Sequence, residues 1–294
     1  MSGIPQRELS IEDVVSWTLK IYRDRFSLFF AAFLAAYIPG MILGILVLQP
    51  ILDYMNSYMT SQIQVAYSSP PLLDDNLIAI SAVLILIAFL AMYFAQGFAI
   101  VTTSSVMKGG DLEPATLIRG AYGRYWGYLK TSILIYLGFF ALVLIPALII
   151  MLLGTGGILM GTILLAAAVV LIIYLDIRLS LYPQAFYLEN VYATESLGRS
   201  YELLRGRVFL TLILQVVLWV VSLIPGVVVG QITGYFSGQL WFVGSALSLI
   251  GTALAAPIGP IALTVWYYSM RTRESPPPVP APPTITMSTT PPPG

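Results

Sequence analysis

The chain has 294 residues, 58% hydrophobic and 10% charged, against about 45–50% and 25% in a soluble domain, which excludes a water-soluble globule and points to a polytopic membrane protein. Its fourteen Lys and Arg balance fourteen Asp and Glu, leaving no field that would recruit nucleic acid or an acidic substrate. Cysteine and histidine are absent, which excludes disulfides, thiolate metal sites and thiol catalysis and removes the commonest metal ligand and general base.

Residues 1–25 read as an amphipathic helix lying in the membrane interface, not as a cleavable signal. Ser10 followed by Asp13 predicts a capping box, in which the carboxylate also favours the positive helix end. Ile11, Val14, Val15, Thr18, Leu19 and Tyr22 share one face, with Trp17 at its margin. The membrane domain, 26–270, begins with an uncharged run from Phe26 to Leu48, long enough to cross a hydrocarbon core of about 30 Å and kinked at Pro39. A short amphipathic helix is expected around Ile51 to Ile63, before Pro70-Pro71.

Leu77 to Met107 holds the second span, with Gln96 as its most polar interior residue. A second interfacial helix is expected near 111–127, with Pro114 in its first turn and Ala115, Ile118, Tyr122, Tyr125 and Trp126 on one face. Tyr128 to Leu153 reads as the third span, and Gly154 to Gly157 as a tight turn into the fourth, Ile158 to about Tyr182. An elbow carrying a third amphipathic helix near 190–206 leads to the fifth span, Val208 to Val229. The sixth, about Leu240 to Tyr268, is interrupted by Pro257-Ile-Gly-Pro260. Residues 271–294 form a Pro-rich tail expected to be disordered with polyproline II character, with a partner for it conceivable but a solvated terminus the simpler reading.

With these six spans, all fourteen Lys and Arg fall on one side, while the opposite loops hold only Asp53, Asp74 and Asp75. By the positive-inside rule that side is cytoplasmic, so both termini are inside a plasma-membrane protein. Each odd span follows an amphipathic helix and carries an Ile-Pro-small triplet: Ile38-Pro39-Gly40, Ile145-Pro146-Ala147 and Ile224-Pro225-Gly226. The expected fold is therefore all-α: six transmembrane helices in three repeats of one interfacial helix plus two spans.

Candidate sites are few. Asp176 and Arg178 are the charges nearest the interior of a span; two apart, they do not face each other on a helix. They are either an intramembrane functional pair or boundary residues, with Arg178 snorkelling to headgroups. Arg199, Arg205 and Arg207 match lipid phosphates, or simply set topology. The broken sixth helix, with Thr252, Pro257, Gly259 and Pro260, is where a transporter would expose backbone carbonyls, and Gln96 would lie on its path. Gln215, Ser245 and Ser248 either extend that path or join helices. No Walker A loop, GxSxG, HExxH or metal cluster occurs, so no catalytic residue, metal ligand or cofactor is assigned.

Arg178-Leu-Ser-Leu-Tyr-Pro183, Glu189 and Glu195-Ser-Leu-Gly-Arg199-Ser200, continuing to Arg205-Gly206-Arg-Val-Phe209, resemble the membrane-domain family of glycerophosphoryl diester phosphodiesterases. The opening LSIEDVVSWTLKIYRDRFSLFF is similar to that family's first helix. The resemblance implies a membrane module alone, because the enzymes' catalytic barrel relies on His and metal-binding carboxylates and this chain lacks the histidines and the length to build it. The expected role is a non-catalytic scaffold, lipid-organising or partner-binding subunit, with membrane lipids and other membrane proteins as partners; a transporter or channel component is the alternative.

Overall fold

The computed structural model describes residues 3–44, 75–110, 113–234 and 241–274. The expected helix at Ile51 to Ile63, the loop at 235–240 and the tail from 275 lie outside the described residues. Every described element is a helix: α1 (Ile11–Asp24), α2 (Phe26–Leu43), α3 (Asp75–Lys108), α4 (Pro114–Leu179), α5 (Tyr182–Leu188), α6 (Ala193–Leu203), α7 (Val208–Gly234), α8 (Trp241–Ala255) and α9 (Ile258–Thr272). Among the described residues six segments are long and apolar enough to span: Phe26–Leu43, Ile78–Lys108, Pro114–Gly154, Gly156–Leu188, Val208–Ile232 and Ala246–Arg271. The protein is an all-α, multi-pass membrane protein.

Its outer surface requires lipid. At the hairpin tip Met151, Leu152 and Leu159 are 80%, 78% and 75% exposed, a display that water would penalise and hydrocarbon does not. The hairpin itself turns on Gly154, at φ +52°, a left-handed conformation that glycine adopts without a Cβ clash. Its two legs touch at Gly161, where an added Cβ would lie 2.2 Å from Ile150 Cγ1.

The capping box forms as its sequence indicates: Asp13 N–H donates to Ser10 Oγ (3.1 Å) and Ser10 N–H to Asp13 Oδ2 (3.3 Å). Helix α1 buries Val14, Thr18 and Ile21, while Leu19 stays 46% exposed. The surface helix expected near 111–127 is corrected: it is not a separate element, because α4 continues through it into the third span without a break before Gly154. Gly120, Gly123 and Gly127 weaken that stretch, but glycine alone costs a helix only about 1 kcal/mol, and packing of Leu117, Ala121, Tyr125 and Tyr128 keeps it continuous. Within the stretch 190–206 a separate short helix does form, α6. Pro257 does interrupt the sixth span, dividing it into α8 and α9.

Helix α9 sits at the centre. Ile261, Ala262 and Thr264 through Met270 are all buried, in one core with residues of α1, α2, α3, α5 and α7. Side-chain bonds gather the basic residues' helix ends together: Ser104 near the end of α3 shares a 2.7 Å hydrogen bond with Tyr268 of α9, and Leu9 N–H donates to Ser269 Oγ (2.7 Å). Arg207, before α7, reaches Glu8 at 2.9 Å.

Candidate functional site

The elbow between the fourth and fifth spans is built by its own motif. Ser200, fully buried, donates to Arg178 O (2.8 Å) and accepts from Leu181 N–H (3.2 Å), so α6 is stitched onto the turn that begins α5. Gly206, at φ +75°, then redirects the chain into α7. At the far end of α5, Arg124 donates to Phe186 O (2.8 Å) and Tyr187 O (3.0 Å) and bonds Asn190 Oδ1. A guanidinium there satisfies the last carbonyls and complements the negative helix end.

The candidate arginines have distinct surroundings. Arg199 donates through Nε to Glu189 Oε2 (2.7 Å) and through Nη1 to Glu274 Oε1 (2.8 Å), with a further close Nη2 contact to Glu274. Tyr267 donates to the same Glu189 carboxylate at 2.5 Å, and Arg271 stands 3.8 Å away. Desolvation works to raise the Glu189 carboxyl, but the Arg199 and Tyr267 hydrogen bonds and the two guanidinium charges outweigh it and hold it below its usual 4.5. The same bonds raise Arg199 above its ordinary value. Arg207 pairs with Glu8, joined by Arg273 at 3.6 Å. Arg178 lies over the Tyr201 ring, 4.2 Å from its centroid, and donates to Tyr174 Oη (3.1 Å). Arg205 is exposed beside Gly206.

Near the break in the sixth span several carbonyls are engaged by side chains. Leu254 O accepts from Tyr22 Oη (2.9 Å), Ser248 O from Thr252 Oγ1 (2.8 Å) and Pro260 O from Thr264 Oγ1 (2.7 Å), while Pro257 is buried and Gly259 partly buried. Burial pushes the Tyr22 hydroxyl up to about 12. Its contribution to folding is therefore complete below its ordinary 10.0 and lost as pH rises through about 12. Tyr22→Phe is expected to lower stability by about 1 kcal/mol and to flatten that alkaline loss, as read from unfolding midpoints at increasing pH.

Gln96 is brought not to that break but to Asp176. Together with Gln215, Tyr128, Tyr136, Phe139, Ser180 and Tyr182 they line a cavity of about 210 Å³ beneath the elbow, to which the sixth span contributes Leu263. Tyr128 donates to Gln96 Oε1 (2.9 Å), and Ser132 shares a 2.7 Å hydrogen bond with Tyr182 Oη. The Tyr128 and Tyr182 rings stand 5.9 Å apart, inclined at 35°. Asp176 makes no ion pair or hydrogen bond among the described residues. The tyrosines escaped sequence reasoning, although Tyr128, Ser132 and Tyr136 recur at a four-residue interval that places them on one helix face.

A second concavity is apolar. Ser27, Leu28, Ala31, Ala32, Ala35 and Ala36 of α2, Ala91, Phe94 and Phe98 of α3, and Pro114 and Ile118 of α4 enclose a groove of about 550 Å³. Arg25 lies two residues before Ser27 and Arg119 directly after Ile118; both are exposed and make no ion pair among the described residues. Among those residues no group of three or more Asp or Glu is placed to hold a metal ion. Comparison of the chain with protein-family profiles, with curated proteins and with solved structures finds no match in any of the three.

Proposed function

We propose that this protein is a non-catalytic membrane module that organises anionic phospholipid in the inner leaflet of the plasma membrane, with both termini cytoplasmic. The apolar groove between α2, α3 and α4, with the exposed Arg25 and Arg119 close in sequence to its lining residues Ser27 and Ile118, carries this reading. An acyl chain fits a lipid-facing channel floored by alanines, and the exposed guanidinium groups of Arg25 and Arg119, two residues and one residue from its lining in sequence, suit a phosphate. Lys20, Lys108, Lys130 and Arg205 also make no ion pair among the described residues, so they add to the same attraction. Arg199 and Arg207 differ: each is paired with a carboxylate, Glu189 and Glu8 respectively, which fits a role in holding the elbow to α1 and α9.

The elbow residues that resemble the phosphodiesterase membrane domain fit a supporting architecture, and the three Ile-Pro-small triplets support a threefold unit. The expected result is lipid selectivity that depends on the groove's cations. In nanodiscs of mixed phosphatidylcholine and phosphatidylglycerol, lipid retained by the full-length protein should be enriched in phosphatidylglycerol. Replacing Arg25 and Arg119 together by Gln should reduce that preference by about 30-fold, from about 1 kcal/mol for each charge near the surface. Equal retention of the two lipids by the wild-type protein would remove the basis for the proposal.

A further inference from the structure

The polar cavity beneath the elbow is separate from the lipid groove and has a different chemistry. Its lining contains one charged group, Asp176, on the fourth span; Asp176 and Tyr136 are exposed, so the cavity opens at the surface there. A carboxylate on a membrane-spanning helix is costly wherever it meets hydrocarbon, unless a proton or a cation meets it. The nearest cation in sequence, Arg178, is turned to Tyr174 and Tyr201, and no side chain among the described residues neutralises Asp176.

Around that carboxylate stand aromatic faces and neutral acceptors. Tyr128, Tyr136, Phe139 and Tyr182 line the cavity, and an aromatic face attracts a cation through its quadrupole. Gln96 and Gln215 also line the cavity; the Gln96 amide oxygen accepts one bond from Tyr128 and retains a second lone pair. A primary ammonium carries three N–H donors and a positive charge, which matches one carboxylate, amide oxygens and ring faces at once. A volume of about 210 Å³ equals roughly seven waters at about 30 Å³ each, enough for a two-carbon amine with water beside it. A hard inorganic cation asks for six or more oxygens, more than one carboxylate and two amides provide.

We infer that this cavity, walled by Tyr128, Tyr136 and Tyr182 with Asp176 at its charged pole, binds the ammonium group of a small organic amine, free or carried on an aminophospholipid headgroup. The two sources share one chemistry and separate experimentally. The full-length protein is reconstituted in nanodiscs of phosphatidylglycerol alone, and its unfolding midpoint is followed as ethanolamine hydrochloride is added. The midpoint should rise with ethanolamine and not with equimolar sodium chloride. Asp176→Asn should weaken the apparent affinity about 10-fold or more, while Asp176→Glu retains the response. Tyr182→Leu should weaken it about 5-fold, and Tyr182→Phe, which keeps the ring, should not.

In discs containing phosphatidylethanolamine, a headgroup ligand raises the wild-type midpoint in advance and abolishes the response to free ethanolamine. A free amine as the natural ligand leaves that response intact. Either pattern supports the site. An Asp176→Asn protein that responds like the wild type, a sodium chloride effect equal to that of ethanolamine, or no response to amine in either disc would overturn it. These readouts do not involve the anionic-lipid preference of Arg25 and Arg119, so either proposal can fail alone.

Discussion

Gly97→Ala is expected to destabilise the folded protein by about 3 kcal/mol, at the upper end of the overpacking range. A Cβ built on Gly97 would lie 2.2 Å from Tyr187 Oη and 2.5 Å from Cζ. The ring cannot swing aside freely, because its centroid is 5.3 Å from that of Tyr128 and 5.8 Å from that of Phe186. Gly127 on α4 receives Phe186 in the same way, with an added Cβ 2.7 Å from Cζ. Thus α5 is seated between α3 and α4 because each offers a glycine under an aromatic ring. Unfolding in detergent with increasing denaturant should show the loss, and Tyr187→Ala in the Gly97→Ala background should cost far less than it does alone. A Gly97→Ala protein as stable as the wild type would refute this account of how the elbow docks.

Arg199→Met should cost about 3 kcal/mol, because removing one member of a largely buried pair leaves the other charge uncompensated. Glu189 is the group left behind: its side chain is only 11% exposed, and Arg271 at 3.8 Å would be its remaining cation. The double variant Glu189→Gln/Arg199→Met should recover much of the loss, since a neutral pair no longer strands a carboxylate. The pair also sets an acid limit. With the folded carboxyl below its usual 4.5, the unfolded chain binds the proton more readily. The stabilisation is complete above pH 4.5 and disappears as pH falls through the folded value. Unfolding midpoints on an acid titration should therefore fall for the wild type and change less for the double variant; identical acid limbs would exclude Glu189 as the cause.

Local features of this chain are legible from sequence because they depend on neighbours. The Ser10 and Asp13 cap, the Gly154 turn and the Pro257 interruption all follow from residues within a few positions of one another. The central place of α9 is not legible in that way. In lipid, a helix facing hydrocarbon and one facing protein are equally apolar, so hydropathy cannot rank them. The sign in the sequence was polarity: Thr264, Tyr267, Tyr268 and Ser269 are too hydrogen-bonding for a lipid face, and all four are buried. The extended α4 was missed for the opposite reason. Its first turns are amphipathic enough to be a surface helix, and only their packing shows that they continue the span.

For the candidate site, the sequence supplied the members and not their grouping. Asp176, Gln96 and Gln215 lie on three different spans, and only tertiary packing brings them to one cavity. Arg199 was visible as a motif residue, yet Glu274 lies 75 positions away along the chain, and no periodicity connects them. The rings around Asp176 were hidden because a tyrosine on a membrane helix reads equally well as an interfacial anchor.

The bonds from Leu9 to Ser269 and from Glu8 to Arg207 and Arg273 impose an order on biosynthesis. Helix α1 precedes by about 230 residues the helix that seats it, α9, so it is made well before that seat. No arrangement of the nascent chain can close that clasp until Ser269 has left the ribosome. Throughout elongation α1 must wait with Val14 and Ile21 uncovered by their final neighbours. Its amphipathic character therefore serves the unfinished protein too: the bilayer surface shelters that face until α9 arrives.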